Sequence, residues 1–359
     1  MQFDSLSPVT RSRVVLRRTW LTSLLLLPLL AGGCSDSTGS DVDSEQVVVV
    51  LNSVGISLTV VPVGGSTVRQ VGLGADGTPT TLAVRDSLAV VPMGVTDVAR
   101  VVNLRTGATV WTVPLPSGSG STGVAFASDS IAIVANPDRN TVSPVNVRRG
   151  TAGPEIAVGV YPQALVADDD RVYVVNGNLV NFSPAGPGSV TVLDAHTLAV
   201  LGTVALTGIN PGSAAIRGDQ LFVLNSGTWL GNNSSLSVVD PAGRQELRRV
   251  DGFGNFPGNL TTQTGRNVFV AAYGTGVLVY NPETNVIERS EADPLVPGGL
   301  LPVSAVRFDP LGLLYTLHPG DCTAPGTLVQ MGSSGAVLAQ AATGVCPFAL
   351  GVGTVRLPG

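Results

Sequence analysis

The chain has 359 residues, with 20 basic side chains (all arginine), 25 acidic ones and two histidines, for a formal net charge of −5. Nucleic acid is held by clustered cations, which an acidic chain with scattered arginines does not supply. Two histidines and three cysteines also leave little from which to build a His-rich metal site.

In chain order, Arg11, Arg13, Arg17 and Arg18 form a basic start, followed by an apolar run from Leu21 to Leu30 and the small residues Ala31-Gly32-Gly33 before Cys34. Such a run is too short for a stable membrane-spanning helix, which needs about 20 apolar residues, and reads as an export signal. The small-residue site followed at once by Cys resembles a bacterial lipobox, although Ala31 stands where Leu is usual. The resemblance implies cleavage before Cys34 and attachment of diacylglycerol to its thiol. Arg17-Arg18 also resembles a twin-arginine signal, but the usual preceding Ser or Thr is missing, so ordinary secretion is preferred. Loss of four arginines and one aspartate would leave 326 residues with 16 basic and 24 acidic side chains, net −8. Ser35 to Glu45 is Ser, Asp, Thr and Gly with one Val, a composition that cannot bury a core and suits a flexible tether. The expected division is a leader over 1–33, a tether over 34–45 and one folded body over 46–359. By resemblance to Gram-negative lipoproteins, Ser35 rather than Asp after the Cys implies an outer-membrane lipoprotein, facing periplasm or exterior.

From Gln46 onward a unit of roughly 45 residues recurs, a period that with short strands points to radially arranged blades. Its clearest marker is an apolar strand that often ends in Asn: Val48–Asn52, Ile133–Asn136, Val172–Asn176 and Leu221–Asn225. Looser copies are Leu88–Val91, Val268–Ala271 and Leu313–Leu317. Asx-led turns follow at Asn103, Asp194, Asp240 and Asn281, where the side chain bonds backbone two residues on and shapes a hairpin. A proline precedes the last strand of most units: Pro79, Pro162, Pro211, Pro257, Pro302 and Pro347. Proline lacks an N–H and is tolerated at the first residue of a strand. Spacings after Pro162 are 49, 46, 45 and 45 residues, while Pro79 to Pro162 is 83, two units. The skipped unit has Ser121–Ala125 in the equivalent place. The count is seven. The first unit lacks a proline strand before it and the last has a surplus one, Pro347–Val352, so the C-terminal strand should become the innermost strand of the blade begun by Val47–Asn52.

This pattern resembles the YVTN/YncE-like seven-bladed propellers over nearly the whole mature chain. The resemblance implies an all-β, seven-bladed β-propeller of four-stranded antiparallel blades, and is weak for function. Cys322 and Cys346, an even pair in an exported chain, suggest a disulfide; in propellers of this type both loops emerge on one face at neighbouring blades, and free thiols are the alternative. Propeller sites usually lie on the face whose loops lead into the innermost strands. On that face Phe182 and Trp229 occupy two long loops, joined by Asn232, Asn233, Phe253, Phe256 and Tyr161. Exposed aromatics beside amides suit a sugar, a planar ligand or a protein partner; the bland alternative is that the phenylalanines fill gaps between blades. The ligand-binding candidates are Trp229, Phe182, Phe253, Asn233 and Tyr161.

No nucleophile elbow, zinc-protease helix or phosphate loop occurs. Asp168-Asp169-Asp170 reads as a solvated turn rather than a Ca²⁺ site, and His318 as a loop histidine without a nucleophile beside it. No catalytic residue, metal or cofactor is expected. The expected molecule is a monomeric, lipid-anchored binding or interaction module, contacting the membrane through Cys34 and an envelope protein or small ligand, with nutrient capture one variant. The rivals are a lactonase-like hydrolase and a scaffold for outer-membrane protein assembly.

Overall fold

The computed structural model describes residues 44–64, 67–229, 231–263, 265–332 and 335–356. The leader, Cys34 and the tether up to residue 43 lie outside the described residues. Among those described, no helix is long and apolar enough to cross a membrane.

Seven antiparallel blades surround one axis. Blade 1, from the axis outward, is Pro347–Arg356, Ser44–Asn52, Ser57–Pro62 and Arg69–Gly72. Blade 2 is Ala83–Arg85, Leu88–Pro92, Val98–Asn103 and Ala108–Pro114. Blade 3 is Val124–Phe126, Ile131–Asn136 and Thr141–Asn146, with an outer edge split into Thr151–Ala152 and Ile156–Ala157. Blade 4 is Pro162–Ala167, Arg171–Asn176, Pro187–Asp194 and Val200–Ile209. Blade 5 is Pro211–Arg217, Gln220–Asn225, Ser235–Asp240 and Gln245–Asp251. Blade 6 is Pro257–Thr261, Val268–Ala272, Gly276–Asn281 and Val286–Arg289. Blade 7 is Ala305–Phe308, Leu314–His318, Pro325–Met331 and Val337–Val345. The expected closure is present: Pro347–Arg356 pairs with Ser44–Asn52 from Ser44 opposite Arg356 to Asn52 opposite Pro347. The first strand starts at Ser44, two residues before the repeat marker at Gln46.

Each blade buries both faces against its neighbours, which is why the second strands read as unbroken apolar runs rather than alternating ones. In the first of them Val47, Val49 and Leu51 pack toward blade 2, while Val48 and Val50 pack toward blade 7. A separate buried cluster fills every junction around the ring.

The strand-ending asparagines are buried locks. Each amide donates to two hydroxyls on the third strand of its own blade: Asn52 to Ser57 and Thr59 (3.1 and 2.9 Å), Asn136 to Thr141 and Ser143 (3.0 and 2.8 Å), Asn176 to Ser189 and Thr191 (3.1 and 3.0 Å), and Asn225 to Ser235 and Ser237 (3.1 and 2.8 Å). Alternate residues of a strand share one face, so a hydroxyl at two positions spaced by one fits one amide. The Asx turns form as expected. Asn103, Asn146, Asp194, Asp240 and Asn281 each accept two backbone N–H bonds through Oδ1.

Around the axis the innermost strands have no further strand to pair with, and side chains tie each to the next. Thr81 donates to the Thr122 carbonyl, Thr122 to that of Gln163, and Gln163 to that of Pro211. Ser213 accepts from the Leu260 N–H, Asn259 makes a two-way bond with the Val306 backbone, and Ser304 donates to the Pro347 carbonyl. The remaining junction, between blades 1 and 2, is closed by contact: a Cβ on Gly351 or Gly353 would lie 2.6 or 2.5 Å from the Val84 side chain.

Candidate functional site

The loops entering the innermost strands and those following the second strands share one face. Four aromatic side chains form a connected belt there, across blades 4, 5 and 6. Tyr161, just before Pro162, meets Phe182 edge-on with centroids 6.1 Å apart. The Trp229 indole Nε1 donates to the Phe182 carbonyl at 2.9 Å, tying the long loop of blade 5 to that of blade 4. Trp229 then stacks on Phe256, 6.4 Å between centroids and 17° between planes. The outer three are open to solvent, Phe182 by 68%, Phe256 by 53% and Trp229 by 44%. Tyr161 is half-buried at the inner end of the belt, where it lines the axial channel.

The backbone beneath the belt is strained. Tyr161, Phe182 and Phe256 have φ of 55°, 61° and 49°, a region that bulky L-residues rarely occupy. Two of these also precede a proline, which pushes its predecessor toward extended backbone. Phe182 shares the tip of a small hairpin with Asn181 (φ 50°), between Leu179–Val180 and Ser183–Pro184. Two central residues at positive φ make a type I′ turn, whose second position favours glycine. A phenylalanine there costs stability and contributes no packing inside the blade. At Tyr161 and Phe256 the positive φ belongs to the repeat, since Asn210 and Cys346 before Pro211 and Pro347 share it at 53° and 59°; at Phe182 it does not, and strain of this kind gathers at functional sites.

The other candidates fall elsewhere. Phe253 is fully buried and meets Tyr280 edge-on at 6.3 Å, in the core between blades 5 and 6. Expected at the surface, it instead fills a junction, and Phe256 takes the exposed place. Phe256 directly precedes Pro257 as Tyr161 precedes Pro162, which places it on the loop into an innermost strand. Asn233 shapes its loop: its Oδ1 accepts the Thr228 N–H at 2.8 Å and the Thr228 hydroxyl at 3.3 Å. Asn232 reaches toward blade 6, donating to Glu291 at 3.4 Å.

Cys322 and Cys346 form a disulfide. It joins the loop between the second and third strands of blade 7 to the residue that opens the closing strand of blade 1. His318 is buried rather than on a loop: it ends the second strand of blade 7 at the position Asn holds elsewhere, with Nε2 2.8 Å from the Thr316 hydroxyl. Burial pushes its pKa down to about 4, against the raising effect of the nearby Leu300 and Pro302 backbone. Asp168 works as a turn, its Oδ1 accepting the Asp170 and Arg171 N–H groups and its Oδ2 the Tyr173 hydroxyl. Burial, with the Asp168 hydrogen bond, pushes the Tyr173 pKa up to about 12.

The axial channel has a volume of about 400 Å³ and is lined by residues from all seven blades, with no carboxylate or histidine among the described residues.

No family model matches the chain, and no curated protein matches it in sequence. Solved structures do. Hydrazine synthase of Kuenenia stuttgartiensis superposes with TM-score 0.57 at 16% identity, covering 82% of this chain and 98% of that one. A functionally unknown protein from Desulfotomaculum acetoxidans gives 0.64 at 13%, covering 86% and 98%. The computationally designed Ika8 protein gives 0.54 at 17%, covering 84% and 86%. At such identity the likeness is one of fold, and the fold is consistent with a binding or interaction module.

Proposed function

We propose that this chain is an exported, lipid-anchored interaction module of the cell envelope, related to the YVTN/YncE-like propellers, that meets its partner with the aromatic belt. The observation that carries the reading is the belt itself: two aromatic pairs joined by the bond from the Trp229 indole to the Phe182 carbonyl, over three consecutive blades, with three of the four side chains open to solvent. Large, rigid aromatic side chains lose little freedom on binding and dominate interface energetics. The disulfide suits an oxidising compartment, and the leader with Cys34 supplies the anchor. A hydrolase of this architecture would need acids and a histidine converging on the channel mouth, whereas the channel lining is neutral but for one arginine and His318 is buried.

The test is affinity capture from detergent-solubilised membranes with wild type and Trp229→Ala. The expected result is a partner recovered with wild type and at least tenfold depleted with the variant, as loss of a central aromatic anchor removes ~2 kcal/mol or more. Equal recovery of every partner would overturn the assignment of this face.

A further inference from the structure

Among the described residues, the single charged side chain lining the axial channel is Arg307, on the innermost strand of blade 7. Its neighbours Val306 and Phe308 are buried in the junction with blade 6, so Arg307 lies on the other side of its strand. By surface area its side chain is exposed, the surface it keeps opening into the channel. Desolvation by the surrounding channel wall lowers its pKa from the ordinary arginine value. Arg85, Arg139, Arg217, Arg249 and Arg289 each pair with a carboxylate. Among the described residues the Arg307 guanidinium has no ion-pair or hydrogen-bond partner; those of Arg100, Arg105, Arg148, Arg149 and Arg244 also have none, but none of these lines the channel. Of the polar side chains that share its channel, Thr122, Gln163, Asn259 and Ser304 bond the neighbouring strands. The guanidinium offers five N–H donors, in a planar fork that matches an oxyanion.

We propose that the axial channel binds a small organic anion, held at its carboxylate or phosphate group by Arg307. A cavity of about 400 Å³ is within the range of small-molecule sites. Neutral walls leave the cation's field uncancelled, and Tyr161 at the mouth offers a flat apolar side to the rest of the ligand. The inference shares only Tyr161 with the aromatic belt: it concerns the axis, and a failed capture with Trp229→Ala leaves it untouched.

The experiment is thermal denaturation and calorimetric titration of the folded chain with citrate and with inorganic phosphate, each against NaCl of equal ionic strength. The proteins are wild type, Arg307→Gln, Arg307→Lys and, as a surface control, Arg85→Gln. Citrate or phosphate should raise the melting temperature of wild type and Arg85→Gln, and the anion that acts distinguishes carboxylate from phosphate. Affinity should fall about 10- to 100-fold in Arg307→Gln, the usual loss with a charge-assisted hydrogen bond, and less in Arg307→Lys, which keeps the charge without the fork. Without anion, Arg307→Gln should melt close to wild type, because an exposed side chain without a partner has no contact to lose. Three results would overturn the proposal: no response of wild type to either anion, an undiminished response in Arg307→Gln, or an Arg307→Gln that fails to fold.

Discussion

Phe182 shows how one residue separates stability from purpose. Its φ of 61° at the second central place of a tight hairpin turn would suit glycine. Phe182→Gly should therefore stabilise the fold, by about 1 kcal/mol if the left-handed backbone is the main cost, while depleting the captured partner as Trp229→Ala does. Melting temperature and capture read on the same variant check both halves; a less stable variant would mean that the ring packs rather than presents. His318 makes a second prediction, in pH. Its folded pKa of about 4 lies below the ordinary 6.5, so the unfolded chain binds more protons between these values. Stability from this residue is complete above pH 6.5 and is lost as pH falls from 6.5 to 4, by up to about 3 kcal/mol. His318→Asn restores the repeat residue and should flatten melting temperature against pH in that window; an unchanged slope would refute the assignment.

At the scale of the element, the unit couples one blade to the next through glycines before the proline. A Cβ on Gly208, near the end of the outer strand of blade 4, would lie 2.0 Å from the Asn225 side chain of blade 5, and one on Gly344 would lie 2.7 Å from that of Asn52. Each glycine lets the preceding blade cover the asparagine lock of the following one. Gly208→Ala should cost about 1–3 kcal/mol through overpacking. Asn225→Ala should cost about 2 kcal/mol, since two buried serine hydroxyls lose their donor. Urea denaturation with an unchanged m-value measures both. The strand order, the Asx turns and the proline-led strands were legible because each is local chemistry repeated at a fixed interval. The placement of Phe253 and Phe256 was not, because it depends on how the chain turns through Gly252 and Gly254, at φ of 101° and 79°, before Pro257. Those two glycines turn the first phenylalanine inward, and the repeat position of the second did not mark it as exposed either, since Asn210 and Cys346 at that position are buried. Arg307 was equally invisible: facing the axis is a property of the ring, and its charge differs in no way along the chain from that of Arg85.

For the whole molecule, the circle is sealed by one long non-local pairing, since the strand Pro347–Arg356 is the axial strand of the blade that begins at Ser44. Six blades are built from consecutive chain, whereas blade 1 joins residues some 300 apart, and closing so large a loop is slow and entropically costly. The disulfide acts at this point, because Cys346 immediately precedes the closing strand and Cys322 belongs to the preceding blade. With a sequence separation of 24 it restrains the closing strand close to where it must pair, and the chain-entropy model gives about 3 kcal/mol for a loop of that size. The double variant Cys322→Ser, Cys346→Ser should therefore remain folded but melt lower. Its earliest hydrogen exchange should appear at Val47–Asn52 and Ala349–Val355, ahead of the corresponding strands of blades 3 to 5, because the blade without its staple opens first. Exchange that rises evenly in all seven blades would show that the ring opens as one unit, and that the pairing of its ends is no weaker than its other junctions.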